Sequence, residues 1–225
     1  MQSAENQSEI KLTGDEFHHA SKVMRHRTGD KIYFTNGQGS IFLAEIIAGS
    51  SNSFTLSLLN EFKYENRFKR IHLCLPLLKN QDRFEFAIEK SVELGITSFI
   101  CFVSERTVSR SKKIERWNKI AFAAMKQSLR SYAPQFQFYE SVELISKLEG
   151  EKIILEQKAN KNLNEIRLNP DINYYFILGP EGGFSENELK LFNENESYSL
   201  TTNRLRTETA AVFCASIISS KILSR

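Results

Sequence analysis

The chain has 225 residues, 41% of them hydrophobic and 25% charged, the proportions of a globular protein, which exclude disordered and fibrous classes. Cys74, Cys101 and Cys214 are odd in number and embedded in apolar runs (HLCLPL, FICFV, AVFCAS), so they read as buried thiols of a reducing compartment and exclude zinc and disulfide scaffolds. Net charge is only +3, but residues 71–140 carry 11 basic against 7 acidic groups while residues 141–225 carry 10 against 12, so the positive excess is central.

The opening MQSAENQSEIKL has no apolar core resembling a signal peptide, and the longest apolar stretch, Ala210 to Ala215, is far below a membrane span; a cytoplasmic location is expected. From Asp15 to Arg25, Phe17, Ala20, Val23 and Met24 recur at helical spacing between a Thr-Gly turn and Gly29-Asp30, predicting an amphipathic helix. Three alternating runs between Lys31 and Leu59 (KIYFTN, SIFLAEII, SFTLSLL), separated by Gly- and Asn-containing turns, predict antiparallel strands joined by hairpins. These elements make a small helix-plus-barrel domain over residues 1–68, with the charged segment Glu61 to Arg70 as linker.

Beyond the linker, strands alternate with helices, the pattern of an α/β domain over residues 69–225. The expected elements are a strand at Ile71–Leu75, a helix from Asn80 as cap to Leu94, a strand at Thr97–Val103 and a long basic helix from about Lys112 to Ser131. Strands at Gln135–Phe138, Lys152–Glu156 and Tyr174–Leu178 follow, then a helix from Ser185 to Asn193, a strand at Tyr198–Leu200 and a final helix from about Thr207 to Leu223. Between Glu105 and Arg130 eight basic residues face only Glu105 and Glu115, the footprint a phosphate backbone needs. Trp117 inside that segment reads as packing against the sheet in preference to stacking on a base. His18, His19 and His26 lack cysteines or paired carboxylates at ligand spacing, so no metal site is expected.

Two motifs concentrate chemistry. The apolar strand Tyr174 to Leu178 runs into Gly179-Pro180-Glu181-Gly182-Gly183-Phe184, and Ser185 to Glu188 then forms a capping box. Three glycines at the carboxyl end of an α/β strand let backbone approach a ligand closely. Neither the P-loop nor the dinucleotide fingerprint is present. Arg204-Leu205-Arg206-Thr207-Glu208-Thr209-Ala210 opens the apolar last helix; Thr207 suits the cap and Glu208 the helix dipole, which leaves both arginines unexplained.

Gly179 to Ser185 together with Leu205 to Ala210 resembles the knotted SPOUT methyltransferases, specifically the bacterial 16S rRNA (uracil-N3)-methyltransferase family. The likeness extends to His18-His19 with Val23-Met24-Arg25 and Gly29-Asp30, to Glu89-Lys90 with Glu93-Leu94-Gly95, to Ser104-Glu105-Arg106, and to Arg116-Trp117 with Gln127-Ser128 and Arg130. The resemblance implies a PUA-like β-barrel, then an α/β SPOUT domain with a trefoil knot, S-adenosylmethionine as cofactor, and a homodimer through the SPOUT domain. It implies methylation of uracil N3, by the family's target uridine 1498 of 16S rRNA in the small ribosomal subunit. The donor would lie against Leu155, Leu178, Gly179, Glu181, Gly182, Gly183, Leu200 and Leu205, with Arg206 and Glu208 catalytic. RNA contacts are expected from His19, Arg25 and Arg27 in the first domain and from Arg106, Arg110, Lys112, Lys113 and Arg130 in the second. Two other readings stay open: a SPOUT enzyme acting on tRNA or another rRNA base, and a non-catalytic ribosome-assembly factor that binds RNA.

Overall fold

The structure, a computed structural model, describes residues 9–107, 111–193 and 196–224. Its contacts divide the chain into two units, one running to Glu65 and including Leu129–Tyr132, the other holding the rest. The sequence carries no sign that Leu129–Tyr132 joins the first unit, because the link rests on a few bonds. The Gly39 amide donates to the Ser131 carbonyl at 2.7 Å, and Tyr132 Oη donates to the Tyr64 carbonyl at 2.8 Å. Gly39 has φ +108, and a Cβ there would stand 2.7 Å from Tyr132 Oη, so the close approach requires glycine.

The first unit is a four-stranded antiparallel sheet in the order β1-β4-β3-β2: β1 is Glu9–Thr13, β2 Lys31–Thr35, β3 Ser40–Gly49 and β4 Ser53–Lys63. Strand β1 pairs with β4, and its Ile10 and Leu12 pack on the cluster of Ile32, Ala44, Ile46, Phe54 and Leu56. The helix expected from Asp15 to Arg25 breaks into α1, Gly14–His18, and a π-helical turn, His19–Val23. Met24 N donates to the His19 carbonyl at 3.0 Å, five residues back, which shifts the facing of everything beyond Ala20. Phe17 still packs edge-on against Phe54 at 4.9 Å, but Val23 and Met24, expected on the inner face, are exposed.

The second unit holds a parallel seven-stranded sheet in the order β7-β6-β5-β10-β8-β11-β9. In chain order β5 is Ile71–Pro76, α2 Gln81–Glu93, β6 Ser98–Phe102, α3 Ile114–Gln127, β7 Gln135–Tyr139 and α4 Val142–Ser146. They are followed by β8 Glu151–Leu155, β9 Lys161–Asn162, β10 Tyr174–Leu178, α5 Glu186–Leu189, β11 Ser197–Ser199 and α6 Thr207–Leu223. Asn80 caps α2 as expected, its side chain accepting from the Arg83 amide at 3.2 Å. The basic helix stops earlier than expected: Ser128 Oγ donates to the Ala124 carbonyl at 2.6 Å, and Leu129 takes φ 49, which ends the turn. The cap of α6 is Arg206, not Thr207, whose hydroxyl donates instead to the Gly179 carbonyl at 3.0 Å.

Strand β10 is buried along its whole length between β5 and β8, and α6 packs against α2, β10 and β5. The core is aromatic where α3 meets the sheet: Trp117, fully buried, lies 4.9 Å from Phe84 and 6.3 Å from Phe136. This is the packing role expected of it, and Trp117→Ala should cost about 3–5 kcal/mol in chemical denaturation. Burial pushes the Cys74, Cys101 and Cys214 thiols well above their ordinary value of 9.0. A thiol-specific reagent at pH 8 should therefore leave the native protein unmodified and label all three cysteines after unfolding. Because the folded-state values are raised, the stability linked to these thiols is present below pH 9.0 and declines as pH rises above it. No described helix is long and apolar enough to cross a membrane.

Candidate cofactor pocket and RNA-binding surface

In the parallel sheet, chain order reverses where β10 inserts between β5 and β8, and ligands of open α/β sheets gather at the carboxyl ends of strands beside such a switch. Leu155 at the end of β8 and Leu178 at the end of β10 are register partners. Around these ends, the loops that follow β8, β10 and β11 enclose a cavity of about 310 Å³. All eight donor-binding positions expected from the sequence line it: Leu155, Leu178, Gly179, Glu181, Gly182, Gly183, Leu200 and Leu205. Also lining it are Glu156, Gln157, Thr201 and Asn203, polar loop residues that no local pattern distinguished, together with Arg204, Thr207 and Ala210 of the motif that opens α6.

The glycine-rich loop is held from several directions. Thr207 Oγ1 donates to the Gly179 carbonyl, the Lys79 amide donates to Glu181 Oε1 at 3.2 Å, and Arg106 Nη1 donates to the Gly182 carbonyl at 2.9 Å. Gly183 adopts φ +70, and nothing lies within 4 Å of the place where its Cβ would stand. A glycine is required there by conformation, and its bare face leaves room for a ligand against the backbone.

Arg206 and Glu208 do not line this cavity. Arg206 is exposed at the cap of α6. Glu208 is buried and turned towards α2, with Arg83 Nε 3.5 Å from its Oε1 and with its buried Oε2 unpartnered among the described residues. Arg83 carries no sequence signal beyond its place in the first turn after the Asn80 cap.

The profile of the RNA methyltransferase domain matches residues 65–219, and that of the RNA methyltransferase PUA domain matches residues 12–59. Ribosomal RNA small subunit methyltransferase E of Bacillus subtilis is 30% identical over 97% of this chain and 92% of its own length, and that of Rickettsia conorii is 32% identical over 93% and 88%. The chain belongs to the ribosomal RNA small subunit methyltransferase E family. Among solved structures, the family member from Neisseria gonorrhoeae bound to S-adenosyl methionine superposes with a TM-score of 0.81 and 27% identity, covering 99% of this chain and 94% of that one. A methyltransferase from Legionella pneumophila in complex with the bound cofactor SAM gives 0.80 and 25%, covering 95% and 92%.

Within the family's PUA domain, His19, Arg25 and Arg27 are exposed around the π-helical turn. Arg25 takes φ 60. The next turn is fixed by Asp30, which accepts from the Arg27 amide at 2.9 Å and faces His26 Nδ1 at 3.3 Å. These two contacts, the amide's first, hold the Asp30 carboxyl below its ordinary range. In the methyltransferase domain the expected RNA contacts have different surroundings. Lys113 is exposed at the start of α3, whereas Lys112 lies over the Phe138 ring at 4.0 Å and pairs with Glu140 at 3.0 Å. Arg130, in the Leu129–Tyr132 stretch that the contacts group with the first unit, is half-buried. Arg110 lies outside the described residues. Arg116, on the same helix, grips buried Glu85 with Nε and Nη2 at 2.5 and 2.8 Å. Among the described residues, no group of three or more His, Cys, Asp or Glu side chains is placed to hold a metal ion.

Proposed function

We propose that this chain methylates N3 of uridine 1498 in 16S rRNA with S-adenosylmethionine as donor. The observation that carries the reading is the convergence of the three loops after β8, β10 and β11 on one cavity, in a chain of this family. The bare, positive-φ backbone at Gly183 and the polar loop groups around the cavity suit a donor with a polar nucleoside and an amino-acid tail. S-adenosylmethionine supplies the electrophilic methyl group when bound.

The chain must do the rest. Uracil N3 keeps its proton at neutral pH, so the protein has to favour its loss and stabilise the charge that spreads onto O2 and O4. Arg206, exposed at the cap of α6 beside the cavity-lining Leu205 and Thr207, is our choice for the charge partner of those oxygens. Glu208 is next in that turn, and its contact with Arg83 favours the role of orienter over that of a solvent-facing base. His19, Arg25, Arg27, Lys112, Lys113 and Arg130 would hold phosphates. We further propose that the functional unit is a cytoplasmic homodimer through the methyltransferase domain, that its cofactor loops form a trefoil knot, and that catalysis uses no metal.

Nucleoside mass spectrometry of RNA from a strain lacking the protein tests the target. The expected result is loss of 3-methyluridine from 16S rRNA alone. Loss of a tRNA modification would favour another substrate, and unchanged RNA together with no calorimetric binding of S-adenosylmethionine would leave an assembly factor. A phosphate-binding surface also predicts a weaker salt dependence when cations are removed. Lys113→Ala and Lys112→Ala should each lower the slope of log affinity against log salt by about 0.7–0.9 for RNA, and unchanged slopes would make these side chains merely solvated.

A further inference from the structure

The turn after β6 and the loop after β10 are tied together by bonds that the scheme above does not use. Glu188, 4% exposed, closes the α5 capping box by accepting from the Ser185 amide on Oε2 at 2.9 Å. Its Oε1 accepts from Ser104 Oγ at 2.7 Å and from the Glu105 amide at 3.0 Å. The turn is closed on itself as well, since the Ser104 amide donates to Thr107 Oγ1 and the Thr107 amide donates to the Ser104 carbonyl, both at 2.9 Å. A buried carboxylate with three donors makes a stiff joint.

From this joint Arg106 reaches the donor loop. Its Nη1 holds the Gly182 carbonyl, and its aliphatic carbons pass close enough that a Cβ on Gly182 would stand 3.4 Å from Arg106 Cβ. The other end of the same peptide plane is held too, because the Gly183 amide donates to the Pro180 carbonyl at 2.8 Å. A peptide between two glycines rotates at little cost, so two fixings, one at each end, decide how this plane stands at the cavity wall.

We infer that Arg106 is a positioning residue of the donor loop, held there by Glu188, and is not one of the phosphate-contacting cations of the basic segment that follows it. The inference rests on the donor pocket proposed above. Its consequence is a division within one charged segment: Arg106 sets donor affinity, and the cations after it set RNA affinity.

The experiment measures S-adenosylmethionine binding by calorimetry, donor KM and kcat, and the salt slope of 16S rRNA binding, for wild type, Arg106→Ala, Arg106→Lys and Glu188→Gln. All are measured at a temperature where circular dichroism shows each variant folded. Arg106→Ala should raise donor Kd and KM roughly tenfold with kcat at saturating donor and the salt slope unchanged, and Arg106→Lys should recover part of the loss. Glu188→Gln, which replaces an acceptor of three bonds by an amide with one acceptor atom, should raise donor Kd and KM in the same way. An unchanged donor Kd in Arg106→Ala, with a slope lower by about 0.7–0.9, would make Arg106 a phosphate contact and overturn the inference. A fall in kcat at unchanged KM would reduce the joint to a stability element and overturn it equally. If wild type binds no donor, the pocket itself is wrong and the inference goes with it.

Discussion

Arg206→Ala should leave melting temperature and S-adenosylmethionine affinity at wild-type values and lower single-turnover methylation of 16S rRNA by about two orders of magnitude. The structure makes the separation of these readouts possible. Arg206 caps α6 through its backbone, with no side-chain cap bond, so truncating an exposed side chain removes nothing that the helix start uses. Nor does Arg206 line the cavity, so donor affinity should not follow it. What remains for the guanidinium is the charge that develops on the uracil oxygens. Glu208→Gln supplies the companion result. As an orienter facing Arg83, Glu208 should change the rate by the same factor at every pH; as proton acceptor it would lose most at low pH and recover as uracil itself deprotonates. Wild-type rates in both variants would leave this constellation a helix cap.

Gly183→Val should abolish measurable donor binding, a loss of about a hundredfold or more, while the protein stays folded. At φ +70 a β-branched residue is strained by about 1–3 kcal/mol, and the loop relieves that strain by moving its backbone. The space around the missing Cβ is open, so the substitution does not overpack the core. Gly182 offers the contrast: a Cβ there makes ordinary contacts of 3.4 and 3.5 Å with Arg106, and Gly182→Ala should cost far less donor affinity. Equal calorimetric affinity in Gly183→Val and wild type would remove the glycine-rich loop from the donor site.

The parts of this arrangement legible in the sequence are those whose signals are local. An unbroken run of five apolar residues at β10 ending in Gly-Pro-Glu-Gly-Gly announces a buried strand with a tight loop, and Asn80 announces the start of α2 by its side chain. Strand β1 is hidden because only Ile10 and Leu12 in its five residues are apolar, and it exists through its pairing with β4. Two residues are too few for β9 to show a period, and five are too few for α4. The π-helical turn changes the hydrogen-bond register without changing composition, so Val23 and Met24 face outwards although their spacing predicts an inward face. Within the site, the glycines and the arginines beside α6 were visible, but their supports were not. Ser104 and Glu188 are 84 residues apart, and Lys79 and Glu181 are 102 apart; such pairs are made by the fold.

The most direct test is mass spectrometry of small ribosomal subunit RNA from the deletion strain after incubation with the purified protein and S-adenosylmethionine carrying a trideuterated methyl group. The expected result is one trideuterated methyl on N3 of a single uridine in 16S rRNA, at position 1498, in wild type and none with Gly183→Val. Label on another base or another RNA, or no label with a wild-type protein that binds the donor, would contradict it.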